Sequence, residues 1–114
     1  MQISELVKEA HDNAQEHGWW EGNSHNVPEK LCLVHSEISE ALEELRSFDG
    51  TNGPLNTIWF DDVGKPMGFA IELADAVIRI ADLCGHLGID LERAISVKHE
   101  YNKTRPHRHG GKAF

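Results

Sequence analysis

Residues 67–87, which decide the fold, read MGFAIELADAVIRIADLCGHL. In the helix that this stretch predicts, apolar side chains cover nearly the whole circumference. They are Phe69, Ile71, Leu73, Ala74, Val77, Ile78, Ile80, Ala81, Leu83 and Cys84. The polar side chains fall on one narrow stripe, which consists of Glu72, Asp75, Arg79, Asp82 and His86. Because a helix that is apolar on most sides is typical of a central position, we expect 67–87 to be the most buried helix.

Three further segments have the apolar periodicity of helices. Residues 2–17 carry Ile, Leu, Val and Ala side chains at i, i+3, i+4 spacing. Pro28 predicts the first turn of a second helix that continues to Arg46. Asp90 predicts the N-cap of a fourth helix, which runs to Arg105 and stops at the following proline.

The segment 48–68 interrupts the helical pattern with glycines and prolines. Within it, residues 57–64 predict a small hairpin. A chain of 114 residues has room for one hydrophobic core, so we expect a single domain over 1–114. The predicted fold class is all-α, with an antiparallel bundle of about four helices. We expect a second copy of the chain to complete its core.

Composition limits the function classes. The net charge is −8, which argues against a protein that binds nucleic acid by neutralising phosphates. No apolar run approaches the roughly 20 residues of a membrane span, and residues 1–5 lack the features of a signal peptide. Cys32 and Cys84 lie within helical patterns, which favours reduced, buried thiols and a cytoplasmic location.

Acidic residues on the second helix stand where apolar ones are expected. Its apolar arc consists of Leu31, Leu33, Val34, Ile38, Ala41, Leu42 and Leu45. Glu37 projects inside that arc, and Glu40 lies at its edge. A carboxylate on a core-facing surface is costly without a partner, and two acids three residues apart repel each other. This helix therefore predicts a bound positive charge.

Glu72 and Asp75 extend the same pattern to the third helix. One interpretation is that their stripe is a solvated face, with an ion pair between Asp75 and Arg79 at i+4. Together with Glu37 and Glu40, the alternative is a shared metal site. Because these ligands are hard oxygens without clustered Cys or His, they favour Mg²⁺, or Mn²⁺, over zinc.

The fourth helix adds cations. Leu91, Ala94 and Ile95 define its apolar face, and further along this face come Lys98, Asn102 and Arg105. Compensation of the helix C-terminal dipole explains Arg105 but not an inward Lys98. Since a polyphosphate needs a metal and cationic side chains together, this face is expected to turn inward and bind phosphates.

The ordered motif Glu37-x-x-Glu40 and Glu72-Leu-Ala-Asp75 resembles the E-x-x-E…E-x-x-D signature of the MazG-like all-α nucleoside triphosphate pyrophosphohydrolases. The likeness extends through 64–66, Lys98-x-x-Tyr-Asn-x-x-Arg105 and 108–112. It covers the chain from about residue 28 to its end, with weaker support from 18–20.

The resemblance implies Mg²⁺-dependent hydrolysis of a nucleoside or deoxynucleoside triphosphate to the monophosphate and pyrophosphate, as in nucleotide-pool house-cleaning. It implies that the four acids are metal ligands and catalytic residues. It also implies that Lys98, Asn102 and Arg105 contact phosphates together with Lys112. The chain is then expected to form a homodimer or homotetramer. The family motif begins with a doubled Glu, whereas Ser36 precedes Glu37 here. The number of metal ions stays open for that reason.

Trp19 and Trp20 are candidates for stacking on a nucleotide base. Neighbouring residues do not face one way on a helix, so at most one of them is expected to do so. Packing over the end of the bundle explains the two side chains equally well.

Other interpretations remain for the whole chain. A ferritin-like di-iron bundle is disfavoured because its E-x-x-H spacing is absent from the sequence. A non-enzymatic helical module whose acidic stripe binds a basic partner, and a phosphoribosyl-ATP pyrophosphatase, are the alternatives.

Overall fold

The computed structural model describes residues 1–22, 26–51 and 53–106. Within these residues the chain is helical apart from one two-stranded sheet, so the all-α prediction is confirmed. The elements in chain order are α1 (Ile3–Glu16), α2 (Val27–Arg46), β1 (Trp59–Phe60), β2 (Pro66–Met67), α3 (Phe69–Leu87) and α4 (Leu91–Lys103).

The predicted starts of two helices are confirmed by their caps. At α2, the side chain of Asn26 accepts a hydrogen bond of 3.1 Å from the backbone N–H of Glu29, and Pro28 lies in the first turn. At α4, the side chain of Asp90 accepts one of 3.0 Å from the N–H of Arg93. These contacts satisfy backbone donors that have no partner inside the helix.

A short antiparallel hairpin precedes α3, as predicted, although its second strand begins after residue 64. Trp59 pairs with Met67, and Phe60 pairs with Pro66. The turn is held by Asp61, whose Oδ1 accepts hydrogen bonds from two backbone N–H groups further along the turn, at 3.0 and 2.9 Å. The hairpin therefore fixes the position at which α3 begins.

The central helix is α3, which packs against α1 on one side and α2 on the other. Its position agrees with the sequence pattern. Ala14, Trp20 and Leu83 form a buried cluster between α1, the segment that follows it and α3. The fourth helix lies mainly against α1. Cys32 is exposed and Cys84 is buried, and both are free thiols.

Much of the apolar surface of α2 and α3 is not covered within the single chain. The exposed apolar stripe consists of Leu31, Ile38, Leu42 and Leu45 on α2, and Leu73, Val77 and Ile80 on α3. Contiguous apolar surface of this kind is typical of a contact with another molecule. Among the described helices, none combines the length and apolar character needed to cross a membrane.

Candidate functional site

Where α2 packs against α3, three glutamates come together. One carboxylate oxygen from each of Glu37, Glu40 and Glu72 lies within 4.8 Å of the other two. Glu37 is buried, Glu72 is partly buried and Glu40 is exposed. The i, i+3 spacing on α2 and the crossing of the two helices place them in one group, which we call the carboxylate cluster.

Glu37 is the buried member of the carboxylate cluster, and its two oxygens have different surroundings. Its side chain is 9% exposed. Arg79 donates a hydrogen bond of 2.8 Å from Nε to Oε1. The other oxygen, Oε2, is buried and has no hydrogen-bond partner among the described residues. An orphaned buried carboxylate oxygen is costly, so this atom calls for a cation or a proton.

This ion pair differs from the pairing considered from sequence. An i+4 contact between Asp75 and Arg79 was the expectation for a solvated stripe. In the fold the hydrogen bond of Arg79 goes across to Glu37 on the neighbouring helix instead. Arg79 still lies close enough to Asp75 to act on it electrostatically.

The pKa values of Glu72 and Glu37 reflect the excess of negative charge in the cluster. Burial and the adjacent carboxyl group of Glu40 raise the pKa of Glu72 to about 7, with a further contribution from the charge of Asp75. Burial opposes ionisation of Glu37 as well, but the hydrogen bond and the charge of Arg79, together with the adjacent carboxyl groups of Glu40 and Glu72, outweigh it and lower the pKa of Glu37. One member of the cluster thus holds a proton near neutral pH unless another cation is present.

Asp75, the fourth predicted ligand, lies beside this cluster but outside the group of three close oxygens. Burial raises its pKa, and the charge of Glu37 raises it further, while Arg79 and Lys65 act in the opposite direction. Asp75 and Glu37 line the same cavity. The four predicted ligands are therefore neighbours.

The donor set fits a hard divalent cation. Its atoms are carboxylate oxygens, which Mg²⁺ and Mn²⁺ prefer. Among the described residues the only side chain that donates a hydrogen bond to the cluster is Arg79, which leaves more negative than positive charge. A second cation would both pair with Oε2 of Glu37 and replace the proton on Glu72.

A cavity of about 700 Å³ connects the carboxylates with the tryptophans. It is lined by Ala10, Asn13, Trp19, Trp20, Lys30, Leu33, Glu37, Asp75, Ile78, Arg79, Asp82 and Leu83. Its volume is in the range of small-molecule sites, and its wall combines apolar side chains with an equal number of polar and charged ones. Two of the four predicted ligands, Glu37 and Asp75, thus line one cavity with the predicted base-stacking residues.

The two tryptophans have different environments. Trp20 is buried, donates a hydrogen bond of 2.8 Å from Nε1 to Asp82 and stacks on His86 at 3.8 Å between ring centroids. Its packing role in the fold is therefore clear. Trp19 is 53% exposed. Trp19 is consequently the better candidate for contact with a base.

The α4 residues do not join this site within the single chain. Lys98, Asn102 and Arg105 are all exposed, and Lys98 lies over the ring of Tyr101 at 4.8 Å. The expectation that this face of α4 turns inward is wrong for the single chain, because α4 lies mainly against α1 and not over the cluster. Their role in phosphate binding stays a prediction, and Lys112 lies outside the described residues.

Two cations of the cavity were not identified from sequence as site residues. Arg79 was assigned to a surface stripe, and Lys30 was not considered. Lys30 donates a hydrogen bond of 3.2 Å to the backbone oxygen of Trp19 and lies 4.7 Å from the ring centroid of Trp20. The signal for Arg79 was present, because a buried glutamate on one helix predicts a cationic partner on the helix that packs against it.

Comparisons of the chain with protein-family models, with curated proteins and with solved structures give no match.

Proposed function

We propose that this protein is a MazG-like nucleoside triphosphate pyrophosphohydrolase that cleaves its substrate between the α- and β-phosphates. The observation that carries the proposal is Oε2 of Glu37, a buried carboxylate oxygen without a partner inside an acidic cluster. Its buried member, Glu37, lines a cavity that is also lined by the half-exposed Trp19. A cation site next to an aromatic side chain suits a nucleotide, which carries phosphates at one end and a base at the other.

In this proposal Glu37, Glu40, Glu72 and Asp75 hold Mg²⁺, or Mn²⁺ in its place. When bound, the ion supplies charge that polarises the α-phosphate and acidifies a water molecule. Glu40 is the exposed member of the cluster, so its carboxylate is suited to accept the proton of the attacking water. Trp19 stacks on the base. No covalent intermediate is needed.

The exposed apolar stripe on α2 and α3 supports assembly into a homodimer or homotetramer. A second copy would remove these side chains from water. Lys98, Asn102, Arg105 and Lys112 belong to the proposal as phosphate contacts that an assembled form brings to the site. The proposed setting is nucleotide house-cleaning in the cytoplasm.

The experiment is a screen of ordinary and damaged nucleoside triphosphates, with phosphoribosyl-ATP included, for pyrophosphate release in Mg²⁺ and in EDTA. We expect Mg²⁺-dependent release with at least one substrate. Glu37→Gln should abolish it, whereas the matched control Glu43→Gln, at an exposed position of α2, should not.

Two results would distinguish the alternatives. Release from phosphoribosyl-ATP alone would identify the other activity of the superfamily. A wild-type chain with neither turnover nor stabilisation by Mg²⁺ would contradict the proposal and favour the non-enzymatic module that binds a basic partner.

A further inference from the structure

The hydrogen bonding of Arg79 is unusual for a side chain that only neutralises Glu37. It reaches across from α3 to α2 and donates from Nε alone, at 2.8 Å from Oε1. A guanidinium that is ion-paired with a carboxylate frequently forms two parallel hydrogen bonds to its two oxygens. Here the described residues give its two Nη groups no hydrogen-bond partner. The donors best suited to a planar anion therefore remain available.

The location of those donors is defined by the cavity. Arg79 is 43% exposed while Glu37 is 9% exposed, so the ion pair has a buried end and an accessible end. Both residues line the cavity of about 700 Å³, together with Asp75. The anchored end holds the side chain in place, and the accessible end faces solvent within reach of a ligand.

We propose that Arg79 binds the phosphate chain of the substrate, with Glu37 dividing its two oxygens between Arg79 and the cation. This inference rests on the proposed function, because it names a substrate-binding residue of the same site. Arg79 presents positive charge at the cluster from within the single chain, whereas the α4 cations are exposed on a helix that lies mainly against α1. Its planar fork matches phosphate oxygens, which a lysine does not match.

Lys30 is consistent with this arrangement. It lines the same cavity beside Trp19, to whose backbone oxygen it donates. The cavity wall therefore has one cation near the tryptophans and one at the carboxylates. A triphosphate whose base contacts Trp19 would extend toward Arg79.

The test uses the full chain and inorganic tripolyphosphate, which avoids the choice of base. Calorimetry measures tripolyphosphate binding at a fixed, saturating concentration of free Mn²⁺, and electron paramagnetic resonance measures Mn²⁺ binding separately. The variants are Arg79→Met, which removes the charge, and Arg79→Lys, which keeps a donor for Glu37 and protects the fold. Arg46→Met is the matched control, since Arg46 is also ion-paired to a glutamate of α2 but is exposed.

We expect Arg79→Met to weaken tripolyphosphate binding roughly 10- to 100-fold, as for loss of hydrogen bonds to a charged group. Arg79→Lys should fall between this variant and the wild type, and Arg46→Met should match the wild type. Mn²⁺ binding by Arg79→Met should be equal or tighter, because the neighbouring carboxylates lose a competing cation.

Unchanged tripolyphosphate binding in Arg79→Met would overturn the inference. Parallel loss of Mn²⁺ and tripolyphosphate in both Arg79 variants would also overturn it, because Arg79 would then only orient Glu37. If the wild type binds no Mn²⁺ and hydrolyses no nucleotide, the proposed function fails. Metal-free titration then decides on Arg79: weaker binding in Arg79→Met supports the inference, and equal or absent binding contradicts it.

Discussion

Two acidic regions border α3, and they differ in how their charge is satisfied. On the side of α1, one oxygen of Asp82 accepts a hydrogen bond of 2.8 Å from Trp20 and lies 2.9 Å from Nδ1 of His11. On the side of α2, the carboxylate cluster has Arg79 as its one hydrogen-bond donor among the described residues. The first region is complete within the chain, and the second has an oxygen without a partner.

The difference distinguishes a carboxylate with partners inside the chain from one with an oxygen that has no partner among the described residues. Each region includes a partly buried acid of α3, Asp82 in the first and Glu72 in the second. Partners from α1 and the segment after it hold Asp82, so its charge stabilises the fold. The cluster keeps an excess of negative charge that a proton or a cation can balance, and the proposed metal site depends on this excess.

The largest effect should come from Asp75, the predicted ligand that lies beside the carboxylate cluster. Asp75→Asn should lower Mg²⁺-dependent pyrophosphate release roughly 100- to 1,000-fold, comparable to the loss of a preorganised electrostatic group. The helical fold should persist, because burial already disfavours the charged form of Asp75. Steady-state kinetics and circular dichroism measure the two properties. Full activity in this variant would remove Asp75 from the site.

The Asp82 region should respond in the opposite way. Asp82→Asn should lower the free energy of unfolding by about 2 kcal/mol, since the acceptor of the contacts with Trp20 and His11 loses its charge. Urea unfolding measures this change, with Asp75→Asn as the matched control that should not be destabilised in the absence of metal. Equal destabilisation of the two variants would contradict the distinction between the regions.

Glu72 should make the metal-free protein less stable as the pH rises. Its folded pKa is about 7, above the ordinary value of 4.5, so the folded state binds a proton that the unfolded state has lost. Stability is therefore highest below pH 4.5 for this group and falls as the pH rises to about 7, by an amount on the order of 2 kcal/mol.

Comparison with Glu72→Gln isolates this effect from the other titratable groups of the chain. Melting temperatures from pH 5 to 8 in EDTA should fall more steeply in the wild type than in Glu72→Gln. Saturating Mg²⁺ should flatten the wild-type curve, since the ion replaces the proton. Parallel curves for the two proteins in EDTA would show that Glu72 is not under electrostatic strain.

The helices and their caps were predictable because the signals are local. Periodicity located α1 to α4, and Asp90 and Pro28 fixed two starts. The intrusion of Glu37 into an apolar arc predicted its burial in the same way. Each of these signals lies within a few residues of the feature that it predicts.

Relations between elements were less predictable. The i+4 rule suggests Asp75 as the partner of Arg79, but the crossing of α2 and α3 brings Glu37 closer to it. Periodicity also defines the apolar face of α4 without naming the element that covers it. The exposure of Lys98 depends on which element packs against that face, and the sequence pattern does not identify it. Similarly, the sequence could not say which tryptophan is held by Asp82.

The smallest expected effect concerns the close approach of α1 and α3 at Gly85. A Cβ at this position would lie 2.5 Å from Cβ of His11, so one helix has to move. Gly85→Ala gains about 1 kcal/mol of helix propensity but meets an overpacking cost of about 1–3 kcal/mol, which leaves a net loss of about 1 kcal/mol in urea unfolding. Because the strain falls on the His11 and Asp82 side of α3, the rise in melting temperature caused by Mn²⁺ should match the wild type. A net gain in stability would show that α1 moves away without cost, and a lost Mn²⁺ response would show that the two regions are coupled through α3.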